Sequence, residues 1–317
     1  MIKSSILILL LITLKLGYCQ EVQYKHLTVK NGLPSNTIYK AFQDSKGFIW
    51  FASDAGVARY DGVNFEKFTM DDGLSDNEVL DIKEDSKGRI WFLTFNGQLS
   101  FMKNEKIYNQ ETDSTIKNFK QNGFICSMFE DKEHNLWFGR SSNLVTKLTP
   151  KGALIDFELP FIGKTHSSSP YFFEQDGLYC ISACGILKIE KNSINFIEKF
   201  VQEDWPQFAQ YSLTPNSFIY AAINGVFSIV NGKKHCLIND SSQINFKRII
   251  NLTVTKKDEI WVTTNLGQTI LYKKERGGTT YHYNNHYLDS LQVIHVFIDN
   301  EENKWFCTRS NGVFFKV

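Results

Sequence analysis

Short apolar runs alternate with polar turn residues along nearly the whole chain, and the runs recur with a fixed period. In the clearest copy a strand from Val79 ends at Asp85. A tight Asp85-Ser86-Lys87-Gly88 turn follows, and a second strand begins near Arg89 and passes through Trp91 to Leu93. Asp at the first turn position and Gly at the fourth are type I preferences. The same letters recur as Asp44-Ser45-Lys46-Gly47, with degenerate copies at Asp131–His134 and Asp299–Glu302. A second turn follows each marker aromatic, at Gly56, Gly97, Asn143, Gly185, Gly225, Gly267 and Gly312. Three of these are Asn-Gly pairs, which predict hairpins with positive φ at both central residues. A third strand and a more polar fourth then complete each copy, as in Leu99–Met102 and Lys106–Asn109.

The marker aromatics set the architecture. Trp50, Trp91, Trp137, Tyr179, Tyr220, Trp261 and Trp305 are separated by 41, 46, 42, 41, 41 and 44 residues. A period of about 40–45 residues of short strands predicts a β-propeller with one four-stranded blade per copy. The fold expected is all-β, a seven-bladed propeller, with the markers packed between blades. The segment from His26 to Asn36 has the form of a blade's outer strand and exit turn, as does Phe68 to Asn77, yet it precedes the first copy; the last copy stops after its third strand. The N-terminal strand is therefore expected to join the last blade and close the ring, removing an exposed sheet edge.

The first residues differ in kind. One Lys at position 3, an apolar run from Ile6 to Leu14, and Cys19 read as a signal peptide over 1–19, leaving 20–317 as the propeller. A lipid anchor on Cys19 is the rival reading, although Tyr18 stands where a small residue is wanted. Export to the periplasm or beyond follows. Thirty-five Lys and Arg oppose 34 Asp and Glu, so no charge excess draws the chain to nucleic acid. Five cysteines follow Cys19, an odd number with no C-x-x-C spacing, and disulfides are not expected to hold the fold.

Candidate chemistry lies at one place in each copy. Ten residues before each marker stand Lys40, Asp81, Ser127, Ser169, Gln210, Asn251 and His295, all polar, whereas the next residue is apolar each time. This set is expected to line the central channel. The loop face is expected to carry Arg140, Asn143, Asn224 and Arg309, with Trp205 contributing from the longest irregular connection. Lys40, Asp81, Arg140, Asn143, Trp205, Asn224, Asn251, His295 and Arg309 are thus the candidate ligand-binding residues. No catalytic residue, cofactor or metal site is expected: phosphate loops, nucleophile elbows and metalloprotease helices are lacking. His282 and His286 have helical metal spacing but fall in a strand-and-turn region.

Residues 32–68 and 73–101, with weaker copies at 130–143 and 299–315, resemble the two-component regulator propeller repeats found in periplasmic sensor regions of bacterial hybrid regulators. The resemblance implies a ligand-sensing domain, often for oligosaccharides, that signals across the inner membrane through a partner or a C-terminal output. That output is not among the 317 residues, so the chain reads either as a sensor-only protein or as a truncated one. The repeat also resembles that of propeller lyases acting on cyclic peptides, which would need a His and a carboxylate converging on one face. A protein-interaction scaffold is the third reading.

Overall fold

The structure, a computed structural model, describes residues 23–142, 144–160, 170–174, 176–182, 185–190, 193–200, 213–214, 217–230 and 233–317. It contains seven four-stranded antiparallel sheets, which form a seven-bladed β-propeller. Blade 1 runs Ile38–Gln43, Ile49–Ser53, Gly56–Tyr60 and Phe65–Phe68 from the channel outward. The innermost strands of blades 2, 3, 4, 6 and 7 are Val79–Glu84, Ile125–Glu130, Tyr171–Glu174, Ile249–Val254 and Val293–Ile298. In blade 5 that place is taken by Leu213–Thr214.

The N-terminal strand Lys25–Leu27 pairs antiparallel with the final strand Val313–Lys316, as the fourth strand of blade 7. His26 lies flat on Phe314 with ring centroids 4.2 Å apart, and its Nε2 lies 2.6 Å from the Asn311 carbonyl oxygen. Residues 1–19, which the sequence reading expects to be a signal peptide, lie outside the described residues. Among the described residues no helix is long and apolar enough to cross a membrane.

The marker aromatics fill the seams between sheets, as their spacing predicts. Trp50 is fully buried with Phe68 of its own blade and Phe92 of blade 2, and Trp91 packs on Phe138 of blade 3. Removing such a ring from water stabilises by roughly 1.5–3 kcal/mol, and the tilted ring pairs add to it.

Four of the five marker tryptophans also carry a polar bond. Trp50, Trp91, Trp137 and Trp305 donate their indole N–H to Asp44, Asp85, Asp131 and Asp299, six residues earlier, at 2.7–2.8 Å. The other oxygen of each carboxylate accepts two backbone N–H groups of its own turn. One buried Asp thus fixes both the turn and the wedge. Neighbouring turns are then stitched across the seam: Ser45 donates to Glu84 of blade 2, and Ser86 to Glu130 of blade 3.

The Asn-Gly hairpins differ from expectation. Gly97 and Gly312 have positive φ, but Asn96 and Asn311 do not. Only the glycine of these two pairs has positive φ, and the Asn224-Gly225 pair has it at neither residue, so none is the turn in which both central residues do. The Asn96 side chain accounts for this: Oδ1 accepts from the Gln98 N–H and the Thr94 hydroxyl, and Nδ2 donates to the Ser75 carbonyl.

Candidate functional site

The innermost strands place the polar set through a shared irregularity. Each of blades 1, 2, 3, 6 and 7 has a register shift between its first residue and the polar residue two later: Ile38/Lys40, Val79/Asp81, Ile125/Ser127, Ile249/Asn251 and Val293/His295. Alternation in a strand would put Ile38 and Ala41 on opposite faces. One extra residue instead brings both into the same core cluster, and the same holds for Val79 with Ile82 and Val293 with Val296. The bulge re-aims the residue between them. Lys40, Asp81, Ser127, Asn251 and His295 therefore occupy equivalent positions near the loop-face end of the channel.

Three of them form one charged cluster. Lys40 Nζ lies 2.6 Å from Asp81 Oδ2, with side-chain exposures of 11% and 8%; Lys83 Nζ approaches the same oxygen at 3.8 Å. His295 Nδ1 accepts the backbone N–H of Ala41 at 3.3 Å, which places the ring proton on Nε2. Burial and the neighbouring Lys40 charge hold the imidazole neutral, with its pKa pulled down to about 3. Burial also lowers Lys40 to about 8, against the opposing pull of Asp81. Asp81 stays below the usual carboxylate range: burial alone would raise it, but Lys40 and Lys83 outweigh that. Tyr171 of blade 4 faces the same cluster, and burial together with Cys126 and Asp81 raises its phenol. In blade 6 the Thr253 hydroxyl lies 3.2 Å from Asn251 Oδ1 and donates to the Val296 carbonyl of blade 7.

A polar rim surrounds this cluster. Tyr39, the extra residue of the blade 1 bulge, donates its hydroxyl to Glu78 at 3.0 Å. Burial, the bond to Glu78, and the charges of Glu78 and Asp54 push this phenol up to about 12, with Arg309 opposing. Arg309 of blade 7 is exposed, near enough for its charge to act on Tyr39. Asn224 sits at the exposed hairpin tip of blade 5, while Asn251 is buried in the wall. Asn143 and Trp205 lie outside the described residues, as do Ser169 and Gln210 of the channel set.

Arg140 corrects the sequence reading, which placed it on the loop face. Its side chain is fully buried in blade 3. The guanidinium lies 4.0 Å from the Phe119 ring centre, donates to the Lys120 carbonyl, and reaches the Thr146 hydroxyl at 3.0 Å. Burial pulls its pKa down to about 10. The equivalent positions hold Ser53, Thr94 and Thr308, whose hydroxyls close their hairpins. Blade 3 instead uses a long side chain to hold the 110–124 excursion, the reason its marker spacing is 46 residues.

Sequence reasoning missed Tyr39, Glu78 and Tyr171. The signal for Tyr39 was present: an apolar residue three before Ala41 and its equivalents, out of step with strand alternation, marks the bulge. Among the described residues no group of three or more metal-ligating side chains is gathered. His282 and His286 lie on an outer strand, Tyr281–His286, away from the channel.

With this geometry established, residues 32–55 and 73–96 match the family model described as two component regulator propeller. The two matched segments lie in blades 1 and 2 and the turns that lead into them. Among curated proteins no sequence matches the chain. Solved structures share the fold. The extracellular domain of the hybrid two component system BT3049 from B. thetaiotaomicron superposes with a TM-score of 0.70 at 17% identity, over 92% of this chain and 41% of that one. Streptogramin B lyase gives 0.69 at 15%, over 92% and 96%. PorZ, a surface component of the type-IX secretion system of Porphyromonas gingivalis, gives 0.64 at 16%, over 90% and 47%. The chain therefore spans less than half of BT3049's extracellular domain and of PorZ. At these identities the likenesses establish the fold alone.

Proposed function

We propose that this chain is an exported sensor propeller whose channel mouth binds a small polar ligand, and that occupancy is relayed to a membrane-bound signalling partner. An oligosaccharide is the ligand class that the two-component repeat favours. The observation that carries the reading is the Lys40–Asp81 pair beside neutral His295, under a rim of Tyr39, Glu78 and Arg309. Buried ion pairs add little net stability over apolar residues of similar size. A charged cluster at the ring's open end is therefore better explained by recognition than by folding. Loops on a rigid scaffold are the usual place for such sites.

The fold shared with streptogramin B lyase raises an enzymatic reading, and the site favours binding over turnover. Asp81 is engaged by Lys40 and His295 Nδ1 by the Ala41 amide, so the two do not form an acid–base pair.

Thermal-shift measurements on the mature chain with a panel of neutral and acidic oligosaccharides test the proposal. A ligand at 100 times its Kd stabilises by about 2.7 kcal/mol. The shift should vanish in Tyr39→Phe/Arg309→Ala, whose own melting temperature stays near the parent's. No shift with any glycan contradicts the reading.

A further inference from the structure

One backbone hydrogen bond recurs on the loop face. The residue that follows a blade's second strand donates its N–H to the carbonyl of the residue that precedes the innermost strand. The pairs are Phe95 with Glu78, Ser141 with Phe124, Asn265 with Arg248 and Arg309 with Gln292. These residues therefore occupy one ring at the inner ends of the blades. Glu78, the blade 2 member, takes the Tyr39 hydroxyl, which ties the ring to the rim of the candidate site.

Ser141, Asn265 and Arg309 are polar, but blade 2 puts Phe95 at the same place, 53% exposed. A single exposed apolar side chain needs no explanation. This one is not single. Phe124, the half-buried ring member of blade 3, lies beside it across the seam, with ring centroids 5.8 Å apart and planes 7° from parallel. Near-parallel rings at that distance overlap only at their edges, so the pair makes a stepped floor rather than a closed sandwich.

That shape and its surroundings select an occupant. A floor suits a ligand with a flat apolar face, whereas a quaternary ammonium group is held by rings that enclose it from several sides. Two carboxylates flank the floor. Asp76 accepts the N–H groups of Asn96, next to Phe95, and of Glu78. Carboxylates accept hydrogen bonds from hydroxyl groups and repel anions. A neutral hexopyranose meets both demands: axial C–H bonds gather on one face, opposite the electron-rich faces of the rings, and hydroxyl donors stand round its edge.

We propose that Phe95 and Phe124 form the stacking floor of the mouth site, taking the C–H face of a neutral hexopyranose ring while the flanking carboxylates accept its hydroxyls. The inference rests on the reading of the mouth as an oligosaccharide site. It adds the residues that choose neutral sugars over uronic acids.

An array of neutral and uronate-containing oligosaccharides probed with labelled residues 20–317, followed by titration of each sugar bound, tests the proposal. Neutral sugars should dominate. Phe95→Ala should bind them at least tenfold more weakly with its melting temperature little changed. Phe95→Trp should bind at least as tightly as the parent, and Phe95→Leu, apolar but without a ring face, as weakly as Phe95→Ala. Saturating the aromatic protons by NMR should transfer to the C–H protons on one face of the bound sugar. A sugar whose binding is lost in Tyr39→Phe/Arg309→Ala but kept in Phe95→Ala would overturn the stacking floor and leave the mouth reading intact. An array with no sugar bound would overturn both. Preference for uronates, or binding of choline or free tryptophan in place of any neutral sugar, would likewise overturn the floor.

Discussion

The Asp44 carboxylate accepts the indole N–H of Trp50 at 2.7 Å through Oδ2, while Oδ1 takes the backbone N–H groups of Lys46 and Phe48. This ties the turn at one end of the blade to the ring buried between blades. Asp44→Ala leaves three donors without their acceptor, of which the Trp50 indole is buried while the Lys46 and Phe48 amides lie in a turn that water reaches in part; a buried orphan costs about 1–3 kcal/mol and a partly hydrated one less. The expected loss is roughly 2–4 kcal/mol in urea denaturation, with Asp44→Asn intermediate because its amide oxygen replaces only part of the network.

Blade 6 offers the converse experiment. Its turn begins with Thr255, whose hydroxyl accepts the N–H groups of Lys257 and Glu259 but leaves the buried indole N–H of Trp261 unbonded. Thr255→Asp restores the arrangement of blades 1, 2, 3 and 7. It should stabilise the chain by about 1 kcal/mol, read as a higher urea midpoint at unchanged slope.

The left-handed corner of the same turn gives a third prediction. Gly47 and Gly88 hold it in blades 1 and 2 with open space where a Cβ would stand, whereas Asp258 holds it in blade 6 with φ 56°. Left-handed backbone costs an L-residue roughly 1–2 kcal/mol, less for Asp. Asp258→Gly should therefore raise the melting temperature slightly, although it forfeits the exposed ion pair with Lys274. A lower melting temperature would contradict the argument.

His295 makes a pH prediction. Its folded pKa, about 3, lies below its ordinary 6.5, so the unfolded chain binds the proton first as pH falls. Stability contributed by the neutral ring is present above pH 6.5 and is lost progressively between 6.5 and 3. The slope is about 1.4 kcal/mol per pH unit at most. Denaturation of His295→Gln across this range should show a slope shallower by up to one proton than the parent's; equal slopes would contradict the burial of a neutral imidazole.

Much of this architecture is legible in the sequence because a propeller repeats its physics. Each Trp or Tyr marker must fill the same wedge, so its spacing counts blades, and His26's strand resembles Phe68's because both serve as outer strands. The channel set was legible for the same reason: Lys40, Asp81 and His295 recur at one offset. What alternation hides is the bulge, since an extra residue such as Tyr39 breaks the two-residue rhythm used to assign faces. Arg140 misled because its offset from Trp137 normally carries a hairpin hydroxyl at the loop face. Only the distant 110–124 excursion, which packs Phe119 over it, turns the side chain inward.

Pairing of Lys25–Leu27 with Val313–Lys316 predicts that deleting residues 21–30 destabilises the chain. The truncation removes the strand that covers blade 7 and the His26 ring stacked on Phe314. Circular dichroism melts should show a lower, broader transition, and a truncated chain melting like the intact one would contradict the role given to this strand.

The most direct measurement is hydrogen exchange of residues 20–317 with and without each oligosaccharide that raises their melting temperature. The account predicts slowed exchange at the channel mouth, in 38–41, 79–82 and 293–296, with the effect lost in Tyr39→Phe/Arg309→Ala. Protection confined to the outer strands, or no oligosaccharide that stabilises the chain at all, would contradict it.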